Sequence, residues 1–267
     1  MKTASSPWTD GLPTAVRERL DGGAFTPCRI GLSGAEVWLS DTQALKIAPA
    51  SDESQTERTA LRWLAGRLPV PALLADAREN GRDYLLTERL KAVSAADGAL
   101  LDDPDRLLVL LSGALRALRD VNLGGCPLPD ATGAKLRAAK VQVESGLCEP
   151  DEAVLSAHGF DSPASLLSWL ETHRPKEHAV FTHGDCCLPN LFFDGGGCAF
   201  FLDLGRAGIA DAYTDIALCL RSLRQNLAGV YDGKVRRTVS EDTFFDALGL
   251  RPDAEKLRYY TLLDELL

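Results

Sequence analysis

The chain contains no G-x-x-x-x-G-K-[ST] run; Gly233-Lys234 lacks both the preceding glycine and the following hydroxyl residue. A Walker-type phosphate loop is therefore excluded. No apolar stretch approaches the roughly 20 residues that a membrane span requires. The nearest, leucine-rich 107–118, is interrupted or flanked by Arg106, Arg116 and Arg119, and predicts a core helix opening at Pro104 after Asp103. Cysteine is present seven times, an odd number, with no Cys-x-x-Cys pair, which argues against a disulfide framework and against a zinc site. Ordinary reduced thiols and a cytoplasmic location are expected, with Cys186 and Cys187 placed where reactivity is conceivable. Positive charge is scarce: 29 Lys and Arg stand against 38 Asp and Glu, a net charge of −9. Nucleic acid is disfavoured as a partner, and a cationic one favoured. Internal repeats and low-complexity segments are absent, as is an apolar signal-peptide core. Residues 1 to about 13 are expected to be loosely ordered.

What is present is an ordinary globular composition, 45% hydrophobic and 25% charged over 267 residues, suited to one bilobal unit or two intimate domains. Within it lies one dense stretch, Val180-Phe181-Thr182-His183-Gly184-Asp185-Cys186-Cys187-Leu188-Pro189-Asn190, with Asp203-Leu204-Gly205 beginning thirteen residues after Asn190. The pattern His-x-Asp-x-x-x-x-Asn followed by Asp-x-Gly supplies the groups of a kinase active site. Asp185 offers a carboxylate to the acceptor hydroxyl, and Asn190 and Asp203 offer oxygen ligands to magnesium. Magnesium takes one or two protein groups plus phosphate oxygens, so this pair suffices. Between them, Leu191-Phe192-Phe193, the turn Asp194-Gly195-Gly196-Gly197 and Ala199-Phe200-Phe201-Leu202 read as a hairpin that returns Asp203 to the level of Asn190.

The first ninety residues read as a smaller lobe. Glu36–Leu39, Ala44–Ile47 and Tyr84–Thr87 read as strands, and Ser54–Leu64 as a helix stopped by Gly66 and Pro69. Lys46 lies on the second strand, where a kinase places its phosphate-binding lysine, and Glu57 on the helix is the expected partner. Ser54-x-x-Glu57 is also a capping-box pattern, so Glu57 could instead satisfy backbone donors. Gly31-Leu32-Ser33-Gly34-Ala35 is short enough to lie over nucleotide phosphates, with Ser33 and backbone amides facing them, or is a simple turn. Beyond Leu90 the pattern is mainly helical apart from the hairpin. The sum is an α+β, bilobal, protein-kinase-like fold. Residues 1–90 form a small antiparallel sheet with one helix, 88–91 a linker, and 91–267 the larger helical lobe. Acids cluster in two regions: five, without Lys or Arg, from Glu144 to Asp161, and seven against three basic residues from Ser240 to Leu267.

These motifs resemble the aminoglycoside 3'-phosphotransferases, the kanamycin and neomycin kinases of bacterial antibiotic resistance. The resemblance covers nearly the whole chain. It rests on Val180–Asn190, on Asp203-Leu204-Gly205-Arg206-Ala207-Gly208-Ile209-Ala210-Asp211, on Asp215-Ile216-Ala217, and on the ending Tyr259-Tyr260-Thr261-Leu262-Leu263-Asp264-Glu265-Leu266-Leu267. It implies ATP as donor, with GTP open, and adenine against the Glu88 carbonyl and the Leu90 amide. It further implies Lys46, Ser33 and Gly34 at the phosphates, Mg2+ on Asn190 and Asp203, and Asp185 at the antibiotic 3'-hydroxyl. Arg206 would border the substrate. Asp151, Glu152, Asp264, Glu265 and the Leu267 carboxylate would form the acidic subsite for the substrate's ammonium groups. The run Ala153-Val154-Leu155-Ser156-Ala157-His158 and Gln225 depart from relatives that carry further acids there, leaving the substrate range open, as is the choice of monomer or homodimer. Two rivals remain. One is a kinase of the same fold acting on choline, a sugar amine or a macrolide, against which the acidic tail argues. The other is a nucleotide-binding pseudokinase, whose signature would be loss of Asp185, Asn190, Asp203 or Lys46.

Overall fold

The computed structural model describes residues 11–28 and 35–267; the expectations for Ser33 and Gly34 fall outside them. Five antiparallel strands, β1 (Thr26–Cys28), β2 (Glu36–Leu39), β3 (Gln43–Pro49), β4 (Leu73–Glu79) and β5 (Arg82–Glu88), form one sheet in the order β1-β2-β3-β5-β4. The two-residue period of a strand assigns its side chains. On β3, Leu45 and Ile47 enter a small core with Tyr84 and Leu86, which leaves Lys46 on the opposite face. A short helix α1 (Thr14–Arg17) closes that core, with Leu12 and Val16 buried in it. The loose ordering expected as far as residue 13 therefore fails at Leu12, because its apolar side chain has a core to join. The small lobe also carries this second helix besides the expected one.

The expected helix, α2 (Asp52–Leu64), begins two residues early. Ser51 is its N-cap, in a reciprocal capping box with Ser54, and Asp52 and Glu53 occupy the positive end of its dipole. Glu57 is thus released from the capping role that Ser54-x-x-Glu57 offered. It joins Ala60, Leu61 and Leu64 on one buried stripe, and full burial of each such leucine contributes about 1.5–3 kcal/mol. Trp63 on α2 packs on Phe181, ring centroids 5.7 Å apart, tying the helix to the strand that leads into the dense motif.

The remainder is mainly helical: α3 (Gly98–Leu101), α4 (Pro104–Arg119), α5 (Ala131–Glu144), α6 (Glu152–Ala157), α7 (Pro163–Thr172), α8 (Tyr213–Leu227), α9 (Glu241–Leu248) and α10 (Ala254–Asp264). As expected, α4 opens at Pro104 with Asp103 as N-cap. Its buried Leu107, Leu111, Leu115 and Leu118 join the core that also takes Ala60, Leu61 and Leu64. A second core joins α5, α6, α7 and α10 around Tyr259 and Tyr260. More strand is present here than the pattern suggested. β6 (Val93–Ser94), β8 (Leu191–Phe193) and β9 (Ala199–Phe201) form one small sheet, and β7 (Ala179–Thr182) pairs antiparallel with β10 (Gly208–Asp211). No helix among the described residues is long and apolar enough to cross a membrane.

Candidate active site

The loop from His183 to Asn190 leaves β7, and one buried carboxylate shapes its first turn. Asp215, at the start of α8, accepts the amides of His183 (2.8 Å) and Gly184 (2.9 Å). Burial pushes the Asp215 carboxyl up, and the two amides oppose that rise. Gly184 is obligatory on two counts: its φ is +82°, and a Cβ there would stand 1.9 Å from the Arg206 carbonyl oxygen. His183 is fully buried. Its Nε2 lies 2.7 Å from the Leu202 carbonyl, and its Nδ1 accepts the Asp185 amide at 3.2 Å. These partners assign the neutral tautomer with the proton on Nε2, and bind the Asp185 loop to the residue before Asp203.

Asn190 donates through Nδ2 to the Asp185 backbone oxygen (2.9 Å) and to its Oδ2 (3.0 Å). Both amide protons are thereby used, and the Asn190 Oδ1 is the group left to accept. The hairpin performs as expected: β8 and β9 pair in register, and the Leu202 amide donates to the Asn190 carbonyl at 3.0 Å. Asp203 follows in a left-handed conformation (φ 59°, ψ 57°), unusual for a non-glycine residue and of the kind held in place at functional sites. Lys46 Nζ bonds both Glu57 Oε2 and Asp203 Oδ1 at 2.8 Å. Burial works against the lysine charge, but Glu57 and Asp203 overcome it and hold the ammonium above its ordinary value. The Asp203 carboxyl is held low by Lys46 in spite of burial, whereas burial pushes Glu57 up with Lys46 opposing. An ammonium between two carboxylates, beside an oriented Asp185–Asn190 pair, can hold a polyphosphate and one or two hard cations next to an acceptor.

Of the acids expected at the substrate, Asp264 lies close by through Arg206, and not all of them are free. Asp264, at the end of α10, meets Lys135 (3.4 Å), Arg221 and Arg206 (3.7 Å). Its carboxyl is held low by Lys135 and Arg221 against burial. Glu265 accepts from Arg221 at 3.1 Å and is pushed up by burial, with Asp264 and Asp151 adding to the rise. Cys187 stands between the two groups: burial, then Asp185 and Asp264, raise its thiol. Asp151 caps α6 through the Ala153 amide (2.8 Å) and is exposed, as is Glu152. Leu267 is half-buried against the core around Tyr259. Arg206 donates to Glu53 on α2 at 2.9 Å. Glu88 ends β5, and among the described residues the Leu90 amide that follows donates to no protein acceptor. Sequence reasoning missed Glu53, Arg221 and Lys135, since no local motif marks pairs whose members are 153, 43 and 129 residues apart. It quoted Asp215 without a role; a carboxylate at the start of the helix after the Asp-x-Gly motif was the available signal.

A small antiparallel sheet above a helical lobe, with a lysine–glutamate pair joined to an Asp-x-Gly turn, is the architecture of the kinase-like phosphotransferases. This chain belongs to the phosphotransferase enzyme family, whose family model matches residues 24–249. It is similar to an aminoglycoside 3'-phosphotransferase of Niallia circulans, 36% identical over 96% of this chain and 98% of that one. One of Enterococcus faecalis is 34% identical over 79% and 78% of the two chains. Among solved structures, the aminoglycoside phosphotransferase APH(3'')-Id of Streptomyces rimosus superposes with a TM-score of 0.76 at 26% identity, covering 95% of this chain and 96% of that one. The expected fold and the family resemblance are both borne out.

Proposed function

We propose that the protein transfers the γ-phosphoryl group of ATP to the 3'-hydroxyl of an aminoglycoside of the kanamycin or neomycin class, and so confers resistance to it. GTP is the alternative donor. The observation that carries this reading is the contact of Asp185 with Asn190 beside the Lys46–Glu57–Asp203 cluster, in a chain 36% identical to an aminoglycoside 3'-phosphotransferase.

The donor set fits Mg2+. The Asn190 Oδ1 and the Asp203 carboxylate, whose side chain is 46% exposed, are hard oxygens of the kind that ion takes alongside phosphate. Bound there, the metal would supply charge neutralisation at the phosphate oxygens. Lys46 has three N–H donors; two are held by Glu57 and Asp203, and the third is available to a phosphate. Asp185 commits Oδ2 to Asn190, leaving Oδ1 to align the acceptor hydroxyl. A phosphoryl transition state is loose, so fixed charge and alignment account for most of the acceleration. The Leu90 amide and the Glu88 carbonyl would meet the adenine edge. For the acceptor's ammonium groups, Asp151 and Glu152 are the exposed partners, each such pair worth about 0.2–1 kcal/mol, with the half-buried Glu265, which also holds Arg221, and the Leu267 carboxylate beside them. Asp264, already facing three cations, serves more to fix the acidic wall.

The test mixes purified protein with Mg-ATP and kanamycin, with 3'-deoxy tobramycin as control, and reads ADP release and product mass. ADP and a gain of one phosphate on kanamycin alone are expected. Phosphorylation of both would move the acceptor hydroxyl elsewhere. Turnover of neither would overturn the reading.

A further inference from the structure

Glu53 and Glu57 stand four residues apart on α2, and therefore on one face of the helix. Each grips a cation flanking the same turn. Glu57 holds Lys46, which reaches Asp203 at 2.8 Å, and Glu53 holds Arg206, three residues beyond Asp203, at 2.9 Å. The turn between them, Leu204–Arg206, packs directly on α2. Gly205 permits that approach: a Cβ there would lie 3.3 Å from both the backbone oxygen and the Cβ of Glu53. Arg206 has a second outlook, since its Nη1 lies 3.7 Å from Asp264 Oδ1 on the acceptor side. Burial works against its charge, and Glu53, Asp264 and Asp185 together overcome that cost.

We infer that Glu53 is a positioning residue which, through Arg206, holds α2 on the Asp203 turn and makes nucleotide and acceptor binding interdependent. The ammonium groups of an acceptor held by the exposed acids repel the Arg206 guanidinium on its Asp264 side. Arg206 then rests more fully on Glu53, the first turn of α2 is drawn onto Leu204–Arg206, and Glu57 is held where it keeps Lys46 beside Asp203. Each ligand thereby strengthens binding of the other, because such a coupling is reciprocal. This inference rests on the proposed cationic acceptor.

The experiment measures the dissociation constant of Mg-ADP by calorimetry with and without saturating kanamycin, for the parent and for Glu53→Gln, together with the melting temperature of each. Glu53 is 59% exposed, so the isosteric variant is expected to fold and to melt as the parent does. In the parent, kanamycin should tighten Mg-ADP by about fivefold or more, within the range typical of coupled sites; in Glu53→Gln the ratio should fall to about one. A merely structural role would lower the melting temperature and weaken both ligands without changing their ratio, and that result overturns the inference. So does a ratio that persists in the variant, or a parent without coupling. Failure of the parent to bind kanamycin at all would instead overturn the acceptor reading and this inference with it.

Discussion

Replacing Asp264 by asparagine asks whether that carboxylate belongs first to the fold or to the substrate. The Asp264 side chain is 11% exposed and that of Lys135 5%. Among the described residues Lys135 donates to Asp264 alone, so Asp264→Asn leaves a buried ammonium facing a neutral amide. Arg221 is better protected, because it keeps Glu265 at 3.1 Å. Removing one partner of a buried pair costs about 3–5 kcal/mol. The 3.4 Å separation from Lys135 and the remaining acceptor of asparagine favour the low end, about 3 kcal/mol. In a chain of this size each kcal/mol moves Tm by about 2–4 °C, which gives a fall of about 6–12 °C near pH 7. Lys135→Met in the same chain removes the stranded charge and should recover more than half of the loss. The pH dependence has a definite sign. Lys135 and Arg221 hold the folded Asp264 carboxyl below its ordinary value. Its contribution is therefore complete above the unfolded value, about 3.9, and is lost as pH falls through the folded one. The gap between parent and variant should narrow below about pH 4. Calorimetric melts of parent, single and double variants across that range provide the assay. A fall under about 2 °C at neutral pH, or no recovery with Lys135→Met, would refute the reasoning.

Asp185→Ala should abolish turnover while leaving nucleotide binding intact, as measured by single-turnover kinetics and Mg-ADP titration; activity within about tenfold of the parent would be too small a loss for the aligning carboxylate. Gly184→Ala forces a left-handed alanine, about 1–2 kcal/mol, and also pushes a methyl group into the Arg206 carbonyl. Its soluble yield should collapse, and melting like the parent would disprove the close approach. Iodoacetamide at about pH 8 should label exposed Cys198 well before the motif cysteines. The Cys186 thiol is pushed up by its Cys219 hydrogen bond and burial, and Cys187 by burial and Asp185. Peptide mass spectrometry showing Cys187 labelled first would contradict that order.

The cluster proposed as the active site could be read from the sequence because its members are local. Asp185 and Asn190 lie on one loop, Asp203 returns on one hairpin, and the alternation of β3 alone turns Lys46 away from Leu45 and Ile47. The ambiguity at Glu57 could not be resolved from spacing, because two serines, Ser51 and Ser54, each fit a cap; the helix start decides it. β4 was missed because Leu73–Glu79 is half-buried almost throughout, without the alternation that marks a strand. The Asn80-Gly81 pair after it, at φ 51° and 72°, is the hairpin signal that was available. The acid pattern of the tail suggested freely presented carboxylates. The cations that meet Asp264, namely Lys135, Arg206 and Arg221, come from three distant segments, and no window along the chain contains both partners.

The β8–β9 hairpin has an engineering consequence. Asn190 and Asp203 sit at the feet of its two stems, whose spacing is set by the pairs Leu191 with Phe201, Phe192 with Phe200 and Phe193 with Ala199. The length of the tip does not enter that spacing. Gly195 and Gly196 at the tip are exposed, and a Cβ at Gly195 would meet nothing within 4 Å. A foreign peptide grafted between those glycines would extend the loop outward and leave the stems in register. One residue added to either stem would instead turn buried Phe193 or Phe201 to the opposite face, so the chain separates a segment open to insertion from a ruler that must keep its count.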